Sequence, residues 1–282
     1  MVWWEAVILG LVQGLAEFLP ISSSGHLVLG QHILGLSETA SGDITFEVFV
    51  HFGTALSILT VYRKRVLRIL KDLFGAITKP RSIGAAIPAG TVDSERGGEE
   101  ASVRISAYVL LSMIPTGIVY VLFKDQLEAA FSDPRLVCMM LIVTGVLLLL
   151  TRLRPNPSGV LSPLKAVVVG IAQAFAMIPG ISRSGSTICT AIYMNVDRKE
   201  AADFSFLMLL PVIIGATLLK ALDMMETGIS IDILPLVLGT FVAYASGIFA
   251  IRAVVILIQR RSLQYFAFYC FAVGILGLVL IT

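Results

Sequence analysis

The chain has 282 residues, 57% hydrophobic and 14% charged, with a mean hydropathy of +0.91 and a formal net charge of +2. Soluble domains run nearer 45–50% apolar and about 25% charged, so this composition excludes an ordinary soluble fold and indicates an all-α integral membrane protein. Its long apolar runs exclude a β-barrel, whose strands would alternate.

Segment 2–36 comes first. Its opening, MVWWEAVILG, lacks a basic n-region and carries Glu5, so it does not read as a cleaved signal peptide. FLPISSSGH at 18–26 breaks the segment. Its second arm, HLVLGQHILGL, is about a dozen residues, too short to cross alone. The segment is therefore expected to be a re-entrant helix–loop–helix hairpin, with His32 as a polar packing residue. A full span is expected at 45–61. Glu47 and His51, four apart at its start, line a site, join a metal, or are interfacial polar residues. The basic run YRKRVLRILK follows at 62–71. Residues 75–104, rich in Gly, Pro, Ser and charge, read as a mobile cytoplasmic loop. Spans are expected at 105–123 and 136–151.

Segment 165–196 repeats the broken pattern. MIPGISRSGS at 177–186 interrupts it, and the second arm, TICTAIYMNV, is again short, so a second re-entrant hairpin is expected. Spans at 204–220, 233–251 and 263–281 bring the total to six. Cys138, Cys189 and Cys270 lie in apolar segments without CxxC spacing and read as buried small hydrophobes. No P-loop, zinc spacing or nucleic-acid patch is present.

Six spans and two hairpins place 17 of the 21 Lys and Arg residues on one side, in 62–104, 152–165, 197–203 and 252–262. The other side holds Lys124, Arg135 and Lys220, and Arg183 sits in a hairpin loop. The positive-inside rule makes the basic side cytoplasmic and puts both termini outside.

GLVQGLAEFLPISSSGH (10–26) aligns without a gap on GIAQAFAMIPGISRSGS (170–186), with seven of seventeen positions identical. The same offset pairs Phe46 with Phe206 and Leu59 with Leu219. Three spans separate the copies, so they enter from opposite faces. The single membrane domain, 1–282, is thus expected to be an inverted-topology repeat of 1–151 and 160–282.

Two hairpins inserted from opposite faces bring their loops together near the midplane, where irregular backbone must be buried or line a cavity. Each loop precedes a short helix with serines available as caps. Two helix N-termini then converge as an anion site, and Arg183 adds a fixed charge suited to phosphate. The copies diverge where chemistry would lie: Glu17 opposite Met177, Ser23 opposite Arg183, His26 opposite Ser186. Gln13 and Glu17 share a helix face. Ser22 and Ser23 lie four and three residues before His26, so a serine hydroxyl is expected to reach the imidazole as an activated nucleophile. Ionisable groups inside a membrane are costly and point to function. The plain alternative is a structural Glu17–Arg183 pair that locks the two loops together.

QGLAEFLPISSSGH and PGISRSGST resemble the two signature motifs of the bacterial undecaprenyl pyrophosphate phosphatase family, also called bacitracin-resistance proteins. FEVFVHFGTALSI and ADFSFLMLLPVIIGAT are similar to further family blocks. The resemblance implies a phosphatase of the bacterial plasma membrane that removes one phosphate from the C55 isoprenoid pyrophosphate, with its site open to the periplasm. It implies a divalent cation, Mg or Ca; Glu17 is expected either to bind it or to orient His26, and Glu47 is a weaker candidate ligand. It places Glu17, Ser23 and His26 in the first catalytic motif, and Ser182, Arg183, Ser184 and Thr187 in the second. Glu17, Ser23, His26 and Arg183 are the expected catalytic residues. Gln13, Ser22, Ser24, Gly25, Ser182, Ser184, Gly185 and Thr187 are expected to bind substrate. Gln13 stands where the motif begins with an acid or Gln, and His51 where Gln is expected. Expected partners are the lipid substrate and the bilayer, no nucleic acid, and a homodimer as an open possibility. The rival reading on the same scaffold is a lipid flippase or anion transporter.

Overall fold

A computed structural model describes residues 2–33, 41–78, 94–227 and 233–281. Among them the chain is almost entirely helical. Helices α1 (Trp3–Ala16) and α2 (Ser23–Ile33) flank the first polar turn, and α7 (Pro163–Phe175) and α8 (Arg183–Tyr193) flank the second. Between them run α3 (Ser41–Val61), α4 (Arg63–Thr78), α5 (Ser94–Ala130) and α6 (Pro134–Leu150). After α8 come α9 (Arg198–Thr227), α10 (Ile233–Gln259) and α11 (Leu263–Leu280).

Local chemistry sets several helix starts. Asp133 accepts from the backbone N–H groups of Arg135 and Leu136 at 3.0 and 3.1 Å, with Pro134 at the first position of α6. Asp197 does the same for Lys199 and Glu200 at the start of α9, at 2.9 and 3.3 Å.

Five helical stretches among the described residues, in α5, α6, α9, α10 and α11, are long and apolar enough to cross a membrane. A sixth exists only if α3 is counted with α4, which is bent from it by 82°. The bend is tied down where Tyr62 and Arg65 donate to Asp203 of α9, at 2.8 and 2.6 Å. Large apolar side chains such as Leu110, Val121, Phe241 and Leu280 are outward-facing and exposed, as lipid-facing surface would be. The chain is thus a multi-pass, all-α membrane protein.

α1 and α7, at 14 and 13 residues, are apolar but short of a span, and α2 and α8 have 11 residues each. The expected mobile loop at 75–104 is helical at both ends, to Thr78 and from Ser94, and its middle lies outside the described residues. His32, expected to pack, is exposed near the end of α2. The three cysteines are free and buried.

α1 packs on α10, and α7 on α5. Glycine lets the first pair meet backbone to backbone: a Cβ on Gly10 would stand 2.5 Å from the Gly239 carbonyl oxygen. Small-residue contacts of this kind replace hydrophobic driving force where the solvent is lipid. The apolar core gathers around the two turns. Phe18 of the first turn is fully buried and meets Phe206 of α9 edge to face at 5.6 Å.

Candidate active site

The two turns share one hydrogen-bond scheme. Ser22 Oγ accepts from the Gly25 N–H at 3.2 Å, and Ser182 Oγ from the Gly185 N–H at 3.0 Å, so each serine caps its helix. The Ser22 and Ser24 hydroxyls lie 3.3 Å apart, as do those of Ser182 and Ser184. The turns also touch reciprocally. A Cβ on Gly25 would lie 3.1 Å from Gly180 Cα, and one on Gly185 would lie 3.4 Å from Pro20 Cβ. Ser184 Oγ donates across to the Leu19 carbonyl at 3.2 Å. Thr144 of α6 supports the second turn, donating to the Gly180 carbonyl at 2.9 Å and accepting from the Ser182 N–H at 3.0 Å.

On this scaffold, Glu17 is the hub. Its side chain is 6% exposed. Arg183 Nη2 donates to Oε1 at 2.5 Å. Oε2 accepts from Ser23 Oγ at 2.7 Å and from Gln13 Nε2 at 3.0 Å, and His51 Nε2 lies 3.6 Å from it. Arg183 also donates from Nη1 to the Ser205 carbonyl at 3.2 Å, while the Ser205 and Thr187 hydroxyls are 2.6 Å apart. Part of this cluster lines a cavity of about 400 Å³. Glu17, Ser23, Ser24, Glu47, His51 and Arg183 line it, with Tyr120, Lys124 and Glu128 contributed by α5. Apolar residues of α9, such as Leu209 and Ile213, form another wall.

The structure brings together Gln13, Glu17, Ser23 and Arg183 as expected, but it places His26 elsewhere. Ser22 has φ +71°, a left-handed conformation rare for a non-glycine residue. Its hydroxyl accepts from the Gly25 N–H, and its carbonyl faces the His26 ring, whose Nδ1 lies 2.7 Å away. His26 Nε2 meets the Tyr269 hydroxyl at 2.8 Å, and the two rings stack at 5.5 Å. No serine hydroxyl therefore meets this imidazole; Ser23 faces Glu17 instead. The imidazole that lines the cavity is His51, with Nδ1 fixed on the Glu47 carbonyl at 2.7 Å.

Sequence reasoning missed Ser205, Tyr269 and the α5 residues. Ser205 had a signal, since it lies in the quoted block ADFSFLMLLPVIIGAT. As placed, the two carboxylates expected to hold a divalent cation are engaged by other partners. Glu17 is filled by three donors, one of them a guanidinium, and Glu47 accepts from Gln31 at 3.2 Å. Among the described residues, no group of three or more His, Cys, Asp or Glu is placed to hold a metal.

A helical membrane protein with a buried carboxylate–guanidinium–serine cluster beside a largely apolar cavity is built to handle an anionic, membrane-borne group. The family model described as Bacitracin resistance protein BacA matches residues 6–276, and the chain belongs to that family. It is 54% identical over 281 residues to an undecaprenyl-diphosphatase of Salinibacter ruber, covering 100% of both chains. It is 38% identical to proteins of the same name from Halothermothrix orenii and Christiangramia forsetii, covering 98% of this chain and 97% of each of theirs.

Proposed function

We propose that the chain hydrolyses undecaprenyl pyrophosphate to the monophosphate and inorganic phosphate, recycling the carrier lipid for cell-wall synthesis and conferring bacitracin resistance. One observation carries the chemistry: Ser23 Oγ sits 2.7 Å from a carboxylate that is itself held by Arg183. Phosphoryl transfer asks chiefly for positioning and charge stabilisation. The incoming pyrophosphate takes Arg183 from Glu17, and so frees that carboxylate as a base. Ser23 Oγ attacks the terminal phosphorus, its proton passes to Glu17 Oε2, and the bridging P–O bond breaks, its electron pair leaving with the lipid monophosphate. Water then attacks the phosphoserine, Glu17 returns its proton to Ser23 Oγ, and phosphate departs. His26 acts as a positioning residue: by holding the Ser22 carbonyl it fixes the left-handed turn that aims Ser23 at Glu17. No step runs through a metal.

The same reading takes α1–α2 and α7–α8 as re-entrant hairpins related by an inverted repeat of 1–151 and 160–282. Their shortness and the matching caps support this. The distribution of basic residues supports a cytoplasmic 62–104, periplasmic termini and a site open to the periplasm. The test is phosphate release from undecaprenyl pyrophosphate by purified protein in detergent, where no gradient exists. Release of phosphate is expected; lipid binding without release would favour a carrier.

A further inference from the structure

The far end of α3 carries a second cavity, of about 590 Å³. Thr60, on its wall, lies nine residues beyond His51, roughly 14 Å along the helix. The cavity sits where the α3–α4 bend meets α9 and α10. Arg63, Lys64, Arg65 and Arg68 line it from α4, Lys199 from α9 and Arg252 from α10. Asp203 is the single carboxylate among the described residues that line it, and Tyr62 and Arg65 both donate to it. Like charges gathered in one hollow repel one another, and an anion placed among them relieves that repulsion.

α4 supplies an independent observation. Bent by 82°, it runs across the direction of α3 rather than on from it. Its partly buried Val66 and Ile69 pack on the core. Leu67, Leu70 and Phe74, spaced i, i+3 and i+7, form a stripe that is 65%, 58% and 70% exposed. Lys64 and Lys71 are exposed on the adjoining face. An apolar stripe beside a basic face is the pattern of a helix lying in the plane of a membrane interface. On α10, Ile256 is 51% exposed next to the lining residue Val255.

We propose that this cavity binds the headgroup phosphate of an anionic glycerophospholipid, whose acyl chains run along Leu67, Leu70 and the outer face of α10. A soluble anion would answer the basic wall but not the apolar stripe; a zwitterionic lipid would answer the stripe but not the excess of charge. Long Arg and Lys stems carry their charged ends to headgroup depth while their methylenes stay on apolar surface. Basic segments beside a span attract anionic lipid in this way. The proposal needs only a bilayer interface at this end of the molecule and does not rest on the phosphatase reading.

The test places a reporter in the stripe: Leu67→Trp, in the full chain with Trp3 and Trp4 replaced by Phe. The protein is reconstituted in phosphatidylcholine containing brominated phosphatidylglycerol or brominated phosphatidylcholine, and quenching of the tryptophan gives the relative affinity. Phosphatidylglycerol is expected to be preferred more than tenfold. That preference should fall roughly fivefold for each of Arg63→Gln and Arg68→Gln, the scale of one basic residue at an anionic surface. Arg63→Lys and Arg68→Lys, which keep the charge, should retain most of it. Arg260→Gln, at an exposed position outside the cavity lining, should leave it unchanged. Equal quenching by the two lipids overturns the proposal. So does a preference that survives Arg63→Gln with Arg68→Gln, or that Arg260→Gln lowers as much, since either marks diffuse surface charge. Displacement by millimolar inorganic phosphate at constant ionic strength would make a soluble anion the occupant. Displacement by equimolar undecaprenyl phosphate would make an isoprenoid phosphate the occupant, and either displacement contradicts the assignment.

Discussion

The turn at 17–22 and the turn at 176–182 are built alike and equipped differently. Each is capped by a serine onto a glycine N–H two residues into the following helix, and each lays its helix glycine against the other turn. Gln13 and Gln173, at matching positions, are both buried, yet one donates to Glu17 and the other to Thr116 at 3.2 Å. Where the frames coincide, the residues serve folding and anion-facing backbone. Where they part, at Glu17/Met177 and Ser23/Arg183, one turn supplies base and nucleophile and the other the cation. A duplicated scaffold thus keeps its caps and divides its chemistry.

The most severe break in that division is loss of the cation. Arg183→Ala is expected to lower kcat by ~10³-fold or more, as removal of an arginine that stabilises phosphoryl transfer does. Steady-state phosphate release checks this, and a loss under tenfold would return the pair to a structural role. The same pair sharpens the comparison through stability. Removing one member of a buried ion pair costs about 3–5 kcal/mol, whereas replacing both with apolar residues is often neutral. Glu17→Leu alone should therefore unfold at lower temperature in detergent than Glu17→Leu combined with Arg183→Met, while neither releases phosphate.

A smaller effect separates the turns themselves. Gly180 has φ +93° and a Cβ there would lie 2.7 Å from Met140 Cβ, whereas its counterpart is Pro20. Gly180→Ala is expected to cost about 1–3 kcal/mol of stability from strain and overpacking. The shared caps should behave alike: Ser22→Ala and Ser182→Ala are each expected to cost roughly 0.5–2 kcal/mol, read as similar drops in melting temperature. The smallest change is expected at His51→Gln, which keeps a polar group 3.6 Å-distant in the parent from Glu17. One neutral hydrogen bond is worth roughly 0.5–1.5 kcal/mol, so kcat should fall no more than about tenfold. A loss as large as that of Arg183→Ala would place His51 in the chemistry.

Much of this site is legible in the sequence because its scaffold is local. The serine caps, the Gln13–Glu17 contact and the opposition of Glu17 to Arg183 follow from spacing and from two broken apolar segments. What is not legible depends on single dihedrals or on distant helices. Ser23 meets Glu17 rather than His26, and the Ser22 beside it has a left-handed φ that no spacing rule encodes. His26 finds Tyr269, 243 residues away. Lys124 and Glu128 were hidden because α5 runs to Ala130, past the expected span end at 123, through charged turns that read as loop. The sharp α3–α4 bend follows from Tyr62 and Arg65 reaching Asp203, a contact between segments nearly half the chain apart.

The division of labour is tested most directly by comparing kcat at saturating substrate for Ser22→Ala, Ser23→Ala and Ser24→Ala. Ser22 and Ser24 recur as Ser182 and Ser184; Ser23 does not recur and alone of the three donates to Glu17. Loss of a nucleophile is expected to cost Ser23→Ala several orders of magnitude, while each neighbour loses about tenfold, the equivalent of one neutral hydrogen bond. A similar tenfold loss in all three would contradict the account and make water, with Glu17 as its base, the attacking group.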